Sequence, residues 1–318
     1  MSARGQAPFD VVTGALGYTG RHIVQRLIAR GRAVLGLTNH PDRPHALGDR
    51  LRTAPLTFDR PQALAERLAG AEVLYNTYWI RFEHGGRTFA RAIENTKVLL
   101  RAAAAVGVRR VVHVSITQPQ RGAALGLPYF RGKAELEDFL AGLPLSRAML
   151  RPAVIFGGAP GADILVNNIA WLLRRSPVFA VPGRGEYRVQ PIHVDDLAEL
   201  AVRSAANSVD ELWEAVGPDV YTFDELVRAI AGAVHSRARL LHVPPLLALA
   251  AARAFGRALG DVLLTRDELR GLMADLLVSP AVGNAAAPAG TTRFSAWLAD
   301  AAPQLGQSYA SELARHFR

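Results

Sequence analysis

Gly14, Gly17 and Gly20 stand three apart in the run Thr13-Gly14-Ala15-Leu16-Gly17-Tyr18-Thr19-Gly20. An apolar run precedes them and a helical pattern follows, so the spacing predicts a strand, a tight turn and a helix N-terminus. Such a turn suits a pyrophosphate. Gly14 permits the reversal, Gly17 lets the main chain approach the phosphates, and Gly20 lets the helix pack on the strand, while the free N–H groups of the helix face the anion. The pattern is GxxGxxG rather than the GxGxxG of simple dehydrogenases. Farther along, Tyr129 and Lys133 stand four apart at the start of a second helical pattern, which puts a phenol and an ammonium on one helix face. Of 37 basic residues only Lys97 and Lys133 are lysine. Arginine carries the same charge on a bulkier planar head, so a lysine retained at this spacing asks for a chemical reason.

These groups need a scaffold, and the first half of the chain spells one. Strands are predicted at Phe9 to Thr13, Val34 to Thr38, Leu56 to Phe58, Val73 to Asn76, Val111 to Val114 and Ala148 to Leu150. Helical patterns near Gly20 to Ala29, Pro61 to Leu68, Thr88 to Val106 and Tyr129 to Ala141 alternate with them. That alternation predicts an α/β fold, a doubly wound parallel sheet of Rossmann type over residues 1–156. After Pro152, Gly/Pro-punctuated pieces such as FGGAPGAD and VPGRGEYRVQP mark a second region, 157–318. A strand at Trp213 to Val216 is expected to return to the main sheet. Helices from Phe223, Leu246, Arg266 and Ser308 are expected to build a smaller, mostly helical lobe. SPAVGNAAAPAGTT reads as a loop or linker.

The run TGALGYTG, joined to LPYFRGKAELE, LRPAVIFG, PGRGEYRVQPIHVDDLAEL and LLTRDELRGLMADLLVS, resembles the extended and atypical short-chain dehydrogenase/reductase families. More narrowly it looks like the atypical, epimerase/dehydratase-like branch. That branch includes NmrA-like regulators and relatives of the nucleotide-binding accessory subunit of respiratory complex I. The resemblance implies a nicotinamide dinucleotide held by Gly14, Leu16, Gly17, Tyr18, Thr19 and Gly20. It implies Tyr129 as acid/base at a substrate oxygen, and Lys133 as the cation that lowers the phenol pKa and holds the nicotinamide ribose. A Ser or Thr past the fifth strand completes the family's set. In Val114-Ser115-Ile116-Thr117 that position falls on Ile116, leaving Thr117, or alternatively Ser115, to supply the hydroxyl. By the same resemblance Asp59 neighbours the adenine, Asn76 and Thr77 line the cofactor cleft, and Arg151-Pro152 lies near the nicotinamide. His193 with Asp195 and Asp196 reads as a helix start.

Cofactor choice is read at the end of the second strand, where a carboxylate would bind the free 2′-hydroxyl of NAD. Thr38, Asn39, His40 and Arg43 stand there instead, which favours the 2′-phosphate of NADP, with NAD as the alternative. Tyr78, Trp79 and Phe82, just beyond the fourth strand, suit an apolar or planar small-molecule substrate, with Arg81 for an acidic group. The formal net charge is +9, but the arginines are scattered, so no nucleic-acid partner is expected. The absence of cysteine and of HxxxH or HExxH spacing gives no thiolate and no metal site. No apolar run is long enough to span a membrane and no leader is evident, so a cytoplasmic protein is expected. The apolar stretch Val243 to Ala258, broken by Arg253 and Arg257, reads as a core helix or as one in peripheral contact with a membrane. Two functions follow: an NAD(P)-dependent oxidoreductase or epimerase/dehydratase-like enzyme using Tyr129, or a non-catalytic dinucleotide-binding redox sensor or accessory subunit.

Overall fold

In the computed structural model, which describes residues 8–281 and 288–316, seven parallel strands form one sheet. In chain order they are β1 (Phe9–Thr13), β2 (Ala33–Thr38), β3 (Arg52–Pro55), β4 (Ala71–Asn76), β5 (Arg110–Val114), β6 (Ser146–Pro152) and Glu211–Ala215. Their spatial order is Glu211–Ala215, β6, β5, β4, β1, β2, β3. The chain therefore runs outward from β1 in one direction, then from β4 in the other. The reversal between β1 and β4 opens a crevice at the carboxyl ends of the strands, where ligands of such sheets bind.

Both faces of the sheet are covered, which is why its central strands β1, β4 and β5 are buried almost along their whole length. On one face α1 (Tyr18–Ala29) and the helix Val194–Ser204 pack through Ile23, Val24, Leu27, Leu197 and Ala201. On the other, α2 (Pro61–Leu68) and α3 (Phe89–Ala105) bury Leu64, Leu68, Leu99 and Leu100. Each such side chain contributes about 1.5–3 kcal/mol relative to exposure. The short α4 (Pro119–Ala124) leads into α5 (Pro128–Ala141), which carries Tyr129 and Lys133. A third cluster joins Phe156, Leu226, Ile230 and Phe294 in a helical lobe built on Ile164–Arg175, Phe223–Ala233 and Phe294–Ala301.

The expected doubly wound parallel sheet and helical lobe are present, with local corrections. The third strand lies at Arg52–Pro55 rather than at Leu56 to Phe58. Leu56 still donates its N–H to Thr38 at 3.0 Å, but the chain then turns, and Leu56 and Phe58 owe their apolarity to packing beside the sheet. The helix expected from Ser308 starts at Glu312, and Phe294–Ala301 is a helix not foreseen. Within the expected loop of small residues, 282–287 lie outside the described residues, while 279–281 and 288–292 carry neither helix nor strand. Among the described residues no helix is long and apolar enough to cross a membrane.

Candidate dinucleotide cleft

A cleft of about 1600 Å³ occupies the crevice and continues between the sheet and the helical lobe. The glycine run forms its floor. Gly14 takes a left-handed backbone (φ +62°), a conformation that disfavours a side chain. A Cβ on Gly20 would lie 2.2 Å from the Gly14 carbonyl oxygen, so only glycine lets α1 start this close to β1. Leu16, Gly17, Tyr18 and Thr19 line the floor with them. No side chain caps the first N–H groups of α1, and its first turn holds no acidic residue. A bare, uncapped helix N-terminus at the bottom of a cleft fits a pyrophosphate. Tyr18 donates its hydroxyl to Gly157 at 2.9 Å, which ties the loop after β6 over this end of α1.

At the rim, Thr38, Asn39, His40 and Arg43 all face the cleft, whereas Asp42 does not. Thr38 accepts the N–H of His40 at 3.2 Å, which turns the chain at the end of β2. Asp59, exposed, lines the same end, and Thr77 lines the middle while donating to the Thr13 carbonyl at 2.6 Å. Asn76 is behind the wall. It accepts from Thr13 at 2.8 Å and faces His113 Nδ1 at 3.0 Å, fully buried. Burial holds His113 neutral, its pKa pushed down to about 3, with the Lys133 charge acting in the same direction. Asn76 thus orients the β1/β4 exit from beneath and does not itself line the cleft.

The proton-handling set is not assembled. Tyr129 lies on the cleft wall, its ring edge-on to Trp79 and Phe89 at centroid distances of 5.8 and 6.0 Å. Burial raises its phenol pKa, and the charge of Glu268 adds to this while Arg81 opposes it. Lys133, the intended means of lowering that pKa, is only 3% exposed and does not line the cleft. Its Nζ donates to the Val114 carbonyl at 2.8 Å and sits 4.7 Å from the centre of the Trp79 ring. Burial pushes its pKa down to about 7 against the pull of Glu137. Thr117 is fully buried and donates its hydroxyl to Leu276 at 2.5 Å, turned from the cleft. Ser115 is buried with its hydroxyl unpartnered and away from the lining. The residue that faces the cleft in this stretch is Ile116.

Arg151 and Pro152 also lie outside the lining. Arg151 pairs with Glu137 at 2.5 Å and Glu214 at 3.5 Å, an ion cluster beside the sheet. His193 caps the helix Val194–Ser204, its Nδ1 accepting from the Asp195 N–H at 3.2 Å, while the Asp195 carboxylate meets His22 at 2.8 Å.

The lobe end of the cleft is apolar and aromatic. Tyr78, Trp79 and Phe82 line it as expected, joined by Phe89, Leu263 and Leu264. Arg81 is not free for an acidic ligand. It bonds to Glu268 at 2.6 Å, to Glu312 at 3.3 Å and to the Leu263 carbonyl at 3.1 Å, clamping the lobe onto the loop after β4. Sequence reading also passed over Asp163, the N-cap of Ile164–Arg175 on the cleft wall. It accepts the Val166 N–H at 3.1 Å through one carboxylate oxygen and buries the other without a partner. Burial raises its pKa to about 7. An aspartate before a helix pattern signals a cap but not its burial in a cleft.

Residues 14–167 match the model of the NAD(P)H-binding family. The mitochondrial NADH dehydrogenase (ubiquinone) 1 alpha subcomplex subunit 9 of Arabidopsis thaliana is 26% identical over 84% of this chain and 70% of its own length. A ceramide reductase of Caulobacter vibrioides is 29% identical over 73% of each chain. Among solved structures, the triphenylmethane reductase of Citrobacter sp. superposes with a TM-score of 0.72 at 15% identity, covering 93% of this chain and 99% of that one. The expected resemblance to reductases and to a complex I subunit stands on the sequence matches, and the structural likeness concerns the fold.

Proposed function

We propose that the protein, whose residues 14–167 match the NAD(P)H-binding family model, holds NADP(H) in the cleft as a retained dinucleotide and runs no Tyr129–Lys133 proton relay. The observation that carries this is the position of Lys133, bonded to Val114 beneath the Trp79 ring, with Ile116 where a hydroxyl would orient substrate. The uncapped start of α1 would take the pyrophosphate, and Thr38, Asn39, His40 and Arg43 the 2′-phosphate. The bound nicotinamide supplies a hydride donor or acceptor. What this chain's own residues supply around it is binding and exclusion of water by an aromatic wall. Such a protein reports redox state or serves as an accessory subunit, in line with the relative from a respiratory NADH dehydrogenase. The test loads purified protein with NADPH and follows nicotinamide absorbance against a panel of apolar aldehydes and ketones. Retention of reduced nicotinamide throughout supports the proposal; oxidation that depends on a carbonyl compound contradicts it.

A second reading, reduction of an apolar carbonyl by NADPH with Tyr129 as acid, is favoured by the place of that phenol on the wall between Trp79 and Phe89. Carbonyl-dependent oxidation that is lost in Tyr129→Phe with NADPH affinity kept would establish it.

A further inference from the structure

The helix Pro245–Leu259 is turned inside out for a water-soluble lobe. Its inner side buries Ala248, Leu249 and Gly256. Its outer side exposes Leu246 at 75%, Leu247 at 60% and Phe255 at 48%. At 100° per residue, Leu246, Ala250, Ala254, Leu247, Ala251 and Phe255 fan across one continuous outer face. Arg253 borders that face beside Leu246 and Arg257 lies on the same margin between Leu246 and Ala250, both exposed, and the helix contains no acidic residue. Exposed apolar residues scattered singly need no explanation, but a contiguous apolar face edged by cations on one helix does.

We propose that this helix seats the protein on an anionic lipid bilayer, lying in the plane of the interface. Large aliphatic and aromatic side chains would enter the acyl boundary while the arginines at the edge reach lipid phosphates. Charge decides the occupant. Two copies joined through this face would place four arginines in one interface with no carboxylate on either helix to answer them, whereas an anionic surface complements them. The helix ends at Gly260, and the chain then enters the cleft wall at Leu263 and Leu264. A docked helix therefore holds the apolar end of the cleft near the membrane surface.

The experiment is co-sedimentation of the full-length protein with phosphatidylcholine vesicles, with and without phosphatidylglycerol. The wild type is expected in the pellet with phosphatidylglycerol and to be released by raised salt. The exposed-site variant Leu247→Glu/Phe255→Glu is expected to lose at least about tenfold in partitioning, with unchanged melting temperature and NADPH affinity. Arg253→Glu/Arg257→Glu should lose the phosphatidylglycerol dependence. A wild type that stays in the supernatant overturns the proposal. So does a dimer in sedimentation velocity that Leu247→Glu/Phe255→Glu converts to monomer, since the face would then serve self-association. Dinucleotide binding is scored separately, so failure here leaves the reading of the cleft intact.

Discussion

Lys133 donates its ammonium to the main-chain oxygen of Val114 at 2.8 Å, with the Trp79 ring stacked over it at 4.7 Å. The cation is thus used to join α5 to the end of β5. The aromatic ring seals it from the cleft, and the attraction between ammonium and ring face offsets part of the desolvation cost.

Burial of this lysine makes stability depend on pH. Its folded pKa is about 7, against about 10.4 in an unfolded chain. Between these values the unfolded chain binds a proton that the folded one has released, so stability rises with pH across the window from 7 to 10. Below about 7 both states are protonated and the penalty is constant. Melting temperatures at neutral and alkaline pH should show the wild type gaining relative to Lys133→Met over this window. Parallel pH profiles for the two proteins would contradict a lowered pKa for Lys133 in the folded state.

Arg81 clamps the lobe, and its removal should loosen it. Arg81→Met leaves Glu268 and Glu312 without their shared cation and Leu263 without a donor. Because Arg81 is 29% exposed, the cost is expected at about 1–3 kcal/mol, below that of a fully buried pair. Chemical denaturation measures this, and a loss under about 0.5 kcal/mol would mean an ordinary surface pair.

The glycine floor is intolerant of a methyl group. Gly20→Ala places a Cβ 2.2 Å from the Gly14 carbonyl oxygen, so α1 must move away from β1. A destabilisation of about 1–3 kcal/mol is expected, together with weaker NADPH binding because the first turn of α1 is displaced. A variant that binds and melts like the wild type would show that this close approach does not exist in solution.

Arg43 should set the preference for the phosphorylated dinucleotide. Arg43→Ala is expected to weaken NADPH binding about tenfold, about 1.4 kcal/mol, and to leave NADH unchanged. Equal losses for the two dinucleotides would place Arg43 away from the 2′-phosphate.

Local chemistry was readable from sequence where it was fixed locally. The strand, turn and helix around Gly14–Gly20 follow from period and glycine spacing, and β1 and α2 fall where the pattern puts them. What failed depended on partners distant in the chain. Thr117 is claimed by Leu276, 159 residues away, and Arg81 by carboxylates 187 and 231 residues away. Tyr129 and Lys133 do share a helix face, but which of them reaches the cleft is settled by where the loop after β4 lays Trp79. The apolar stretch before Gly260 was legible as a helix, either in the core or against a membrane, because hydropathy alone cannot distinguish a helix buried by protein from one left uncovered.

Direct titration of the purified protein with NADPH and with NADH, followed by nicotinamide fluorescence, bears most closely on the cleft. Saturable binding is expected, tighter for NADPH than for NADH, abolished in Gly17→Asp and unchanged in Tyr129→Phe. Failure of the wild type to bind either dinucleotide would contradict the account.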